Sequence, residues 1–482
     1  MSSSETEKPK RRSQDEKNIP SASDTDTPTT SAGSDEEKPV SDSDPNDPNK
    51  SFGVAPDGGP TAWLAAAGGF SLVFCCLGFA NSFGIFQQYY LADMLEGESE
   101  DKVAWIGSLP VFLQFATGMI GGPLFDRFGA KLVASSPTLP NRQRRLGKNA
   151  RTDSETHTLP RSQVIRPAAV LYIALVMILS VCTKYWHFML VQGVLMGVAM
   201  GLLQFPAFAA VLQHFDKKRG VAMGVVISGS SVGGIVVPIA LSKLLNDSDL
   251  GFGWSVRIIG FVMLPFIAFS LVTVKGRLPP RKSNFLILGA FRERLFLLLV
   301  SSLFFAFIGM FTPIFFIPTY AVYRGMGAAL AGYQSAILNA SSTFGRIIPG
   351  ILADKYGKLN VFSAGCIATG IVTFCMNEAG SNAAIIVYSV VFGFTSGSII
   401  SGATAALSLC PKDPRDLGTY MGMGLFVASF GGLMGPPVSG AMVHRYGGFL
   451  ELAMFSGAIT LFGGVLGFIT KMATKEGLFG QV

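Results

Sequence analysis

Gly122-Pro-Leu124-Phe-Asp126-Arg127-Phe-Gly129-Ala-Lys131 decides the fold, because it recurs as Gly350-Ile-Leu352-Ala-Asp354-Lys355-Tyr-Gly357-Lys358. Both copies read G-x-L-x-D-[RK]-x-G with a basic residue after them, and each stands where a long apolar run gives way to charge. Glycine permits a sharp bend and close packing, while the Asp and the basic residues suit a water interface. The pattern therefore reads as a tight turn between two membrane helices. One copy is weak evidence, but two copies at matching places in two halves point to an internal duplication, an arrangement found in transporters. A second pair agrees: Ser231-x-Gly233-Gly234-x-x-x-Pro238 and Ser429-x-Gly431-Gly432-x-x-x-Pro436. The turn recurs after 228 residues (122 to 350) and the second motif after 198 (231 to 429), so the first half holds 30 extra residues between Gly122 and Ser231.

Composition supports a membrane protein. Charged residues are 14% of the 482, far below the roughly 25% of soluble chains. Hydrophobic residues are 49%, mean hydropathy is +0.44, and the 56 glycines and 39 phenylalanines suit packed membrane helices. The net charge of +7 comes from Lys and Arg scattered at the ends of apolar runs. It is read as a topology signal, and no nucleic-acid partner is expected. The six cysteines show no metal-ligand spacing and read as small buried apolar residues. No metal, cofactor motif or catalytic constellation is expected, so the chain is not read as an enzyme. No P-loop is present, which argues against ATP-driven pumping.

Residues 1–55 have little to bury and read as a disordered cytoplasmic tail without a signal peptide. Twelve apolar runs follow, about 61–86, 103–124, 167–184, 186–213, 219–243, 255–274, 295–321, 329–352, 359–377, 383–409, 417–443 and 448–471. Each is near the roughly 20 residues that cross a bilayer. The expected fold is all-α and integral to the membrane, with twelve transmembrane helices in two pseudo-symmetric six-helix halves. These are 56–274 and 295–475, joined by a central cytoplasmic loop at 275–294. With the N-terminus inside, the inner loops and C-terminal end hold 17 Lys and Arg against 6 outside. This places both termini in the cytoplasm. Plasma membrane is the default location. Asn246-Asp-Ser248 is then an outward-facing glycosylation sequon, a signal of low specificity.

The extra residues fall at 134–165. There the second half resumes an apolar run at once, whereas the first half inserts SSPTLPNRQRRLGKNARTDSETHTLPRSQVIR, with seven basic residues and loop composition. One reading is a regulatory loop that touches anionic lipid. The favoured reading is an unremoved intron carried into the sequence, because the following run is short, as if its start had been replaced. A transcript encoding the whole stretch would overturn it.

Glycines recur every fourth residue at Gly193, Gly197 and Gly201, at Gly220 and Gly224, and at Gly229 and Gly233. Such stripes let helices approach closely, and smooth contacts between halves would also permit rocking.

The repeated turn resembles the signature of the major facilitator superfamily. Within it, two features are similar to the monocarboxylate-porter family and its fungal members. One is Pro56-Asp57-Gly58-Gly59-Pro-Thr-Ala-Trp63 before the first run. The other is Phe215-Asp-Lys217-Lys218-Arg219-Gly220-Val-Ala222-Met-Gly224 with Ser228, Gly229 and Gly233. The resemblance spans roughly 55–475. It implies a twelve-helix carrier with a central cavity that moves organic anions or similar metabolites, often with protons.

Arg346 is the leading binding candidate. A permanent charge inside the eighth run is costly unless paired or watered, and a guanidinium fork suits a carboxylate. In the family an Arg in this helix binds the substrate carboxylate, and Arg346 matches that position. The chain departs from relatives at Ser342, where an Asp is usual, and at Asn81, where some carry a basic residue. No Asp or Glu lies inside a run except Glu451 near an end, so proton coupling rests on the resemblance alone. Asn81, Gln114 and Asn339 are the further cavity candidates, being furthest from run ends, although buried amides more often bond across helices. Asp126, Arg127, Asp354 and Lys355 are read as a conformational latch held by charge pairing. His214 reads as an interface residue rather than a proton shuttle. The expected function is secondary active transport of a small organic acid by alternating access. The alternatives are export of a fungal secondary metabolite, import of a vitamin-like compound, or nutrient sensing on a carrier fold.

Overall fold

A computed structural model describes residues 55–128, 165–278 and 285–474. Nearly all of the expected tail, the 134–165 insert and part of the central loop lie outside these residues. The described chain forms α1 (Pro60–Met94), α2 (Lys102–Arg127), α3 (Ile165–Leu179), α4 (Tyr185–Leu212), α5 (Arg219–Asn246), α6 (Gly251–Thr273), α7 (Arg294–Tyr323), α8 (Gln334–Tyr356), α9 (Lys358–Glu378), α10 (Asn382–Leu407), α11 (Pro414–Tyr446) and α12 (Leu450–Met472). Ten of them are long and apolar enough to cross a membrane. The other two are α3, 15 residues long after the insert, and α8, which has the length but carries Gln334, Asn339, Ser341, Ser342, Thr343 and Arg346. The expected first run ends too early, because α1 continues to Met94, its last turn widening over Tyr90–Met94.

Exposed apolar side chains cover the outer helices. On α6, Phe261, Val262, Leu264, Phe266, Phe269 and Val272 are all exposed, as expected of a face covered by lipid. One buried cluster lies within the first half and another within the second, while a third runs from Val73, Phe208 and Met223 to Phe307, Leu359 and Met421 and joins them. Five cysteines are buried and Cys375 is exposed, contrary to the expectation that all six are buried. Burial pushes the Cys410 thiol, in the α10–α11 connection, up to about 12.

Glycine contacts reproduce the duplication. Gly197 lies against Pro110 and Gly201 against the Gln114 carbonyl. In the second half Gly393 lies against Leu338 and Gly397 against Ser342. Gly193 completes the α4 stripe beside Met189 of its own helix. Gly229 and Gly233 of α5 seat on the Phe70 and Phe74 carbonyls of α1, as Gly431 of α11 seats on the Phe304 carbonyl of α7. The spacing of 228 thus holds for α2 and α8 and that of 198 for α5 and α11, which confines the extra residues to the connection between α2 and α4.

Candidate transport path and its gate

Two seams join the halves at the end where Arg127, Arg219, Arg277 and Lys355 lie. In the first, α2 crosses α11, with Gly122 against Gly418 and Gly118 against Gly422. In the second, α8 crosses α5, with Gly350 against Gly220 and the Arg346 backbone against Gly224. In both, a Cβ on the glycine of α5 or α11 would run into a carbonyl oxygen of the facing helix. No side chain fits between these backbones, so this end of the bundle is shut. Of the expected packing glycines, Gly220 and Gly224 serve the contact between halves; the others pack within the first half.

The latch residues sit on these seams, and both carboxylates bond backbone amides of the other half. Asp126 is buried and accepts from the Gly418 amide at 3.3 Å, the Thr419 amide at 2.6 Å and the Thr419 hydroxyl at 2.8 Å. Asp354 accepts from the Gly220 and Val221 amides, both at 2.7 Å. Each carboxylate therefore caps the first turn of a helix from the other half, where unpaired N–H groups and the helix dipole favour negative charge. Lys355 is exposed with its Nζ 5.2 Å from the Tyr356 ring, and no ion pair links it to Asp354. Arg127 is exposed.

The two motifs that carry the family resemblance meet here. Asp57, with φ at +47°, turns its Oδ1 onto the amides of Asp216 (2.6 Å), Lys217 (2.8 Å) and Lys218 (3.4 Å). The Trp63 ring stands edge-on to Phe215 at 5.2 Å. Arg219 donates to the Phe215 carbonyl from Nε and to the Ser408 carbonyl of the second half from Nη1, both at 3.0 Å, and pairs with Asp216 at 3.3 Å. Sequence reasoning treated these as family markers and missed their contact, because nothing local links Asp57 to residue 216. His214, in the same connection, has its Nδ1 2.9 Å from the Ala210 carbonyl. Burial, aided by Arg277, lowers its pKa from the usual 6.5.

Beyond the seams, side chains of α8 and α1 reach α5. Arg346 is 6% exposed and reaches from α8 to α5, donating from Nη1 to the Ile227 carbonyl at 2.9 Å and to the Ser230 hydroxyl. Its Nε makes no hydrogen bond. Asn81 is exposed midway along α1, and its Nδ2 donates to the Ser230 carbonyl at 3.4 Å. Asn339 lies two turns along α8 from Arg346. The Asn81 and Asn339 amide nitrogens flank Gly234, at 2.7 and 3.1 Å from where its Cβ would be. Three of the four candidates, Arg346, Asn81 and Asn339, thus converge on Ser230 and Gly234 of α5. Gln114 does not join them, being buried and bonded to Gln204 between α2 and α4. Gln192 with Tyr90, and Gln334 with Ser389, also bond across helices. Asn246 is exposed at the opposite end of α5 from Arg219.

Comparison with known proteins matches this geometry. The pattern of the Major Facilitator Superfamily fits residues 158–376 and 342–480. The chain belongs to the major facilitator superfamily. It is 44% identical to the aspyridones efflux protein apdF of Emericella nidulans over 88% of this chain and 80% of that one. It is 35% identical to the MFS-type transporter pynF of Aspergillus niger, covering 86% and 90%. It is 34% identical to the agnestins efflux protein AgnL12 of Paecilomyces divaricatus, covering 87% and 89%. Among solved structures it superposes on the human organic anion transporter MFSD10 with a TM-score of 0.63 at 13% identity, over 85% of this chain and all of that one. It superposes equally on FucP in its outward conformation, at 15% identity over 85% and 99%. The superfamily expectation holds. Two of these relatives are named for efflux, of aspyridones and of agnestins, and the match does not reach the narrower resemblance to monocarboxylate porters.

Proposed function

We propose that the protein exports a fungal secondary metabolite by alternating access. The arrangement described is the state closed on the cytoplasmic side. The observation that carries this reading is the convergence of Arg346, Asn81 and Asn339 across both halves, directly beyond two shut seams. Groups from both halves then hold the substrate where the rocking motion is centred. The excess of Lys and Arg supports assigning the shut end, and both termini, to the cytoplasm. The relatives' names favour export over uptake of a small organic acid. Within the site, Arg346 is proposed to meet an acidic oxygen of the substrate, with Asn81 and Asn339 supplying directional hydrogen bonds. Asp126 and Asp354 are proposed to hold the closed state until substrate or ion binding favours the other. Deleting the coding sequence in the producing fungus, then comparing metabolites inside the cells and in the medium by mass spectrometry, tests the proposal. One class of acidic compound is expected to accumulate inside. Unchanged ratios for every compound would overturn export and leave sensing as the better reading.

A further inference from the structure

The duplication allows each residue of the site to be compared with its counterpart in the other half. Phe74 and Phe304 are equivalent, since Gly233 and Gly431 seat on their carbonyls. Asn81 therefore corresponds to Phe311. The contacts agree: Gly234 faces Asn81, and its counterpart Gly432 faces the Phe311 ring at 3.2 Å. By the spacings already established, Ser228 and Ser230 correspond to Phe426 and Ala428, Asn339 to Val111, and Arg346 to Gly118. Each of these polar residues on the α1–α5–α8 side faces an apolar one in its place on the α2–α7–α11 side.

That second side is a wall of rings. Phe112 of α2 meets Phe430 of α11 at 5.3 Å between centroids, and Phe430 meets Phe426 at 5.2 Å. Phe115 of α2 meets Phe307 of α7 at 6.1 Å, and Phe307 meets Phe311 at 5.4 Å. Phe430 remains 39% exposed, and Phe112, Phe311 and Phe426 are only partly buried. One turn nearer the shut end, Leu77 below Asn81 and Phe307 below Phe311 join the same cluster that crosses between the halves. The polar wall and the aromatic wall thus rise from one floor.

We infer that the transported compound is amphipathic, with an aromatic or extended apolar body that carries an acidic oxygen at one end. The acidic end takes Arg346, Asn81 and Asn339, and the body lies on Phe112, Phe311 and Phe430. This names the substrate class for the carrier site proposed above and rests on that reading. A small hydrophilic acid would fill the polar wall and leave the rings facing water. A neutral aromatic compound would leave the guanidinium without its counter-charge.

The test uses the full-length protein, purified in detergent and reconstituted in liposomes, with 1-naphthoate, acetate and 1-naphthalenemethanol as probes. By calorimetry, 1-naphthoate is expected to bind at least about tenfold more tightly than either single-ended probe. Phe311→Ala and Phe430→Ala are each expected to weaken 1-naphthoate about tenfold and to leave acetate unchanged. Phe430→Leu keeps an apolar side chain and is expected to weaken it several-fold, which covers a failure of the alanine variants to fold. Equal binding of acetate and 1-naphthoate, no binding of 1-naphthoate, or ring variants that bind it as the wild type does would overturn the inference. If binding follows the two-wall pattern but the liposomes move no probe, the site stands and the carrier reading fails. If the probes move with no dependence on the rings, the carrier reading stands and this inference fails.

Discussion

Replacing Asp126 and Asp354 together by Asn should open the shut end. Each carboxylate accepts two backbone amides at the start of a helix from the other half, and Asp126 also accepts the Thr419 hydroxyl. A hydrogen bond to a charged group contributes about 1.5–3 kcal/mol against about 1 kcal/mol for a neutral one. Asn keeps one acceptor oxygen, loses the charge and turns an NH2 toward an N–H. Each substitution should therefore cost the closed state about 2–3 kcal/mol, allowing also for the lost helix-dipole interaction. At 1.4 kcal/mol per decade, that moves the equilibrium by about 30- to 150-fold for one site, and the two sites act on separate seams. Spin labels at Lys217 and Lys412, exposed at this end in different halves, would report the change as a distance distribution once exposed Cys375 is replaced by Ser. A closed-state distance should lose population to a longer one in each single variant, and nearly vanish in the double variant. A folded double variant whose distribution matched the wild type would refute the assignment of these carboxylates to the gate.

Arg346→Lys keeps the charge but is shorter and lacks the planar fork that suits an acidic oxygen, so transport should fall at least about tenfold at matched expression; initial export rates check this. Gly224→Leu places a side chain where the Arg346 carbonyl stands, so the variant should reach the membrane yet shift toward the open form in the same spin-label experiment. Asp57→Ala removes a cap from three amides and should cost about 1–2 kcal/mol locally, read as faster hydrogen exchange over residues 216–218. Because burial lowers the His214 pKa below 6.5, the ring is mostly neutral over pH 7.5–8.5. Its charge changes only at more acidic pH, so His214→Gln should leave the pH profile of transport unaltered across that window.

The helical fold and its duplication were legible in the length of the apolar runs and the spacing of the motifs. A repeated glycine pattern reports a repeated backbone crossing whatever surrounds it. Arg346, Asn81 and Asn339 were also legible, since polar groups in mid-membrane need company, but Gln114 found its company in Gln204 of the neighbouring helix. Sequence position could not separate the two outcomes, because both are amides deep in apolar runs and only the rotation of α2 decides which way Gln114 points. The acidic turn residues were legible in place, but the helix starts they cap were not. Charge pairing is the natural reading when Arg or Lys follows Asp, whereas the helix start that each carboxylate caps lies far along the chain. Phe311 and Phe430 were passed over because Phe is the commonplace filler of a membrane helix. They gain meaning only beside Asn81 and Ser230 in the other copy. A duplicated carrier begins with like groups on both sides of its central axis, and a symmetric path has no way to orient a molecule with unlike ends. Divergence between the copies supplies that orientation. The informative positions are therefore those where the repeat fails, Asn81 against Phe311 and Arg346 against Gly118, while the glycines that still match are needed by any cargo that makes the halves rock.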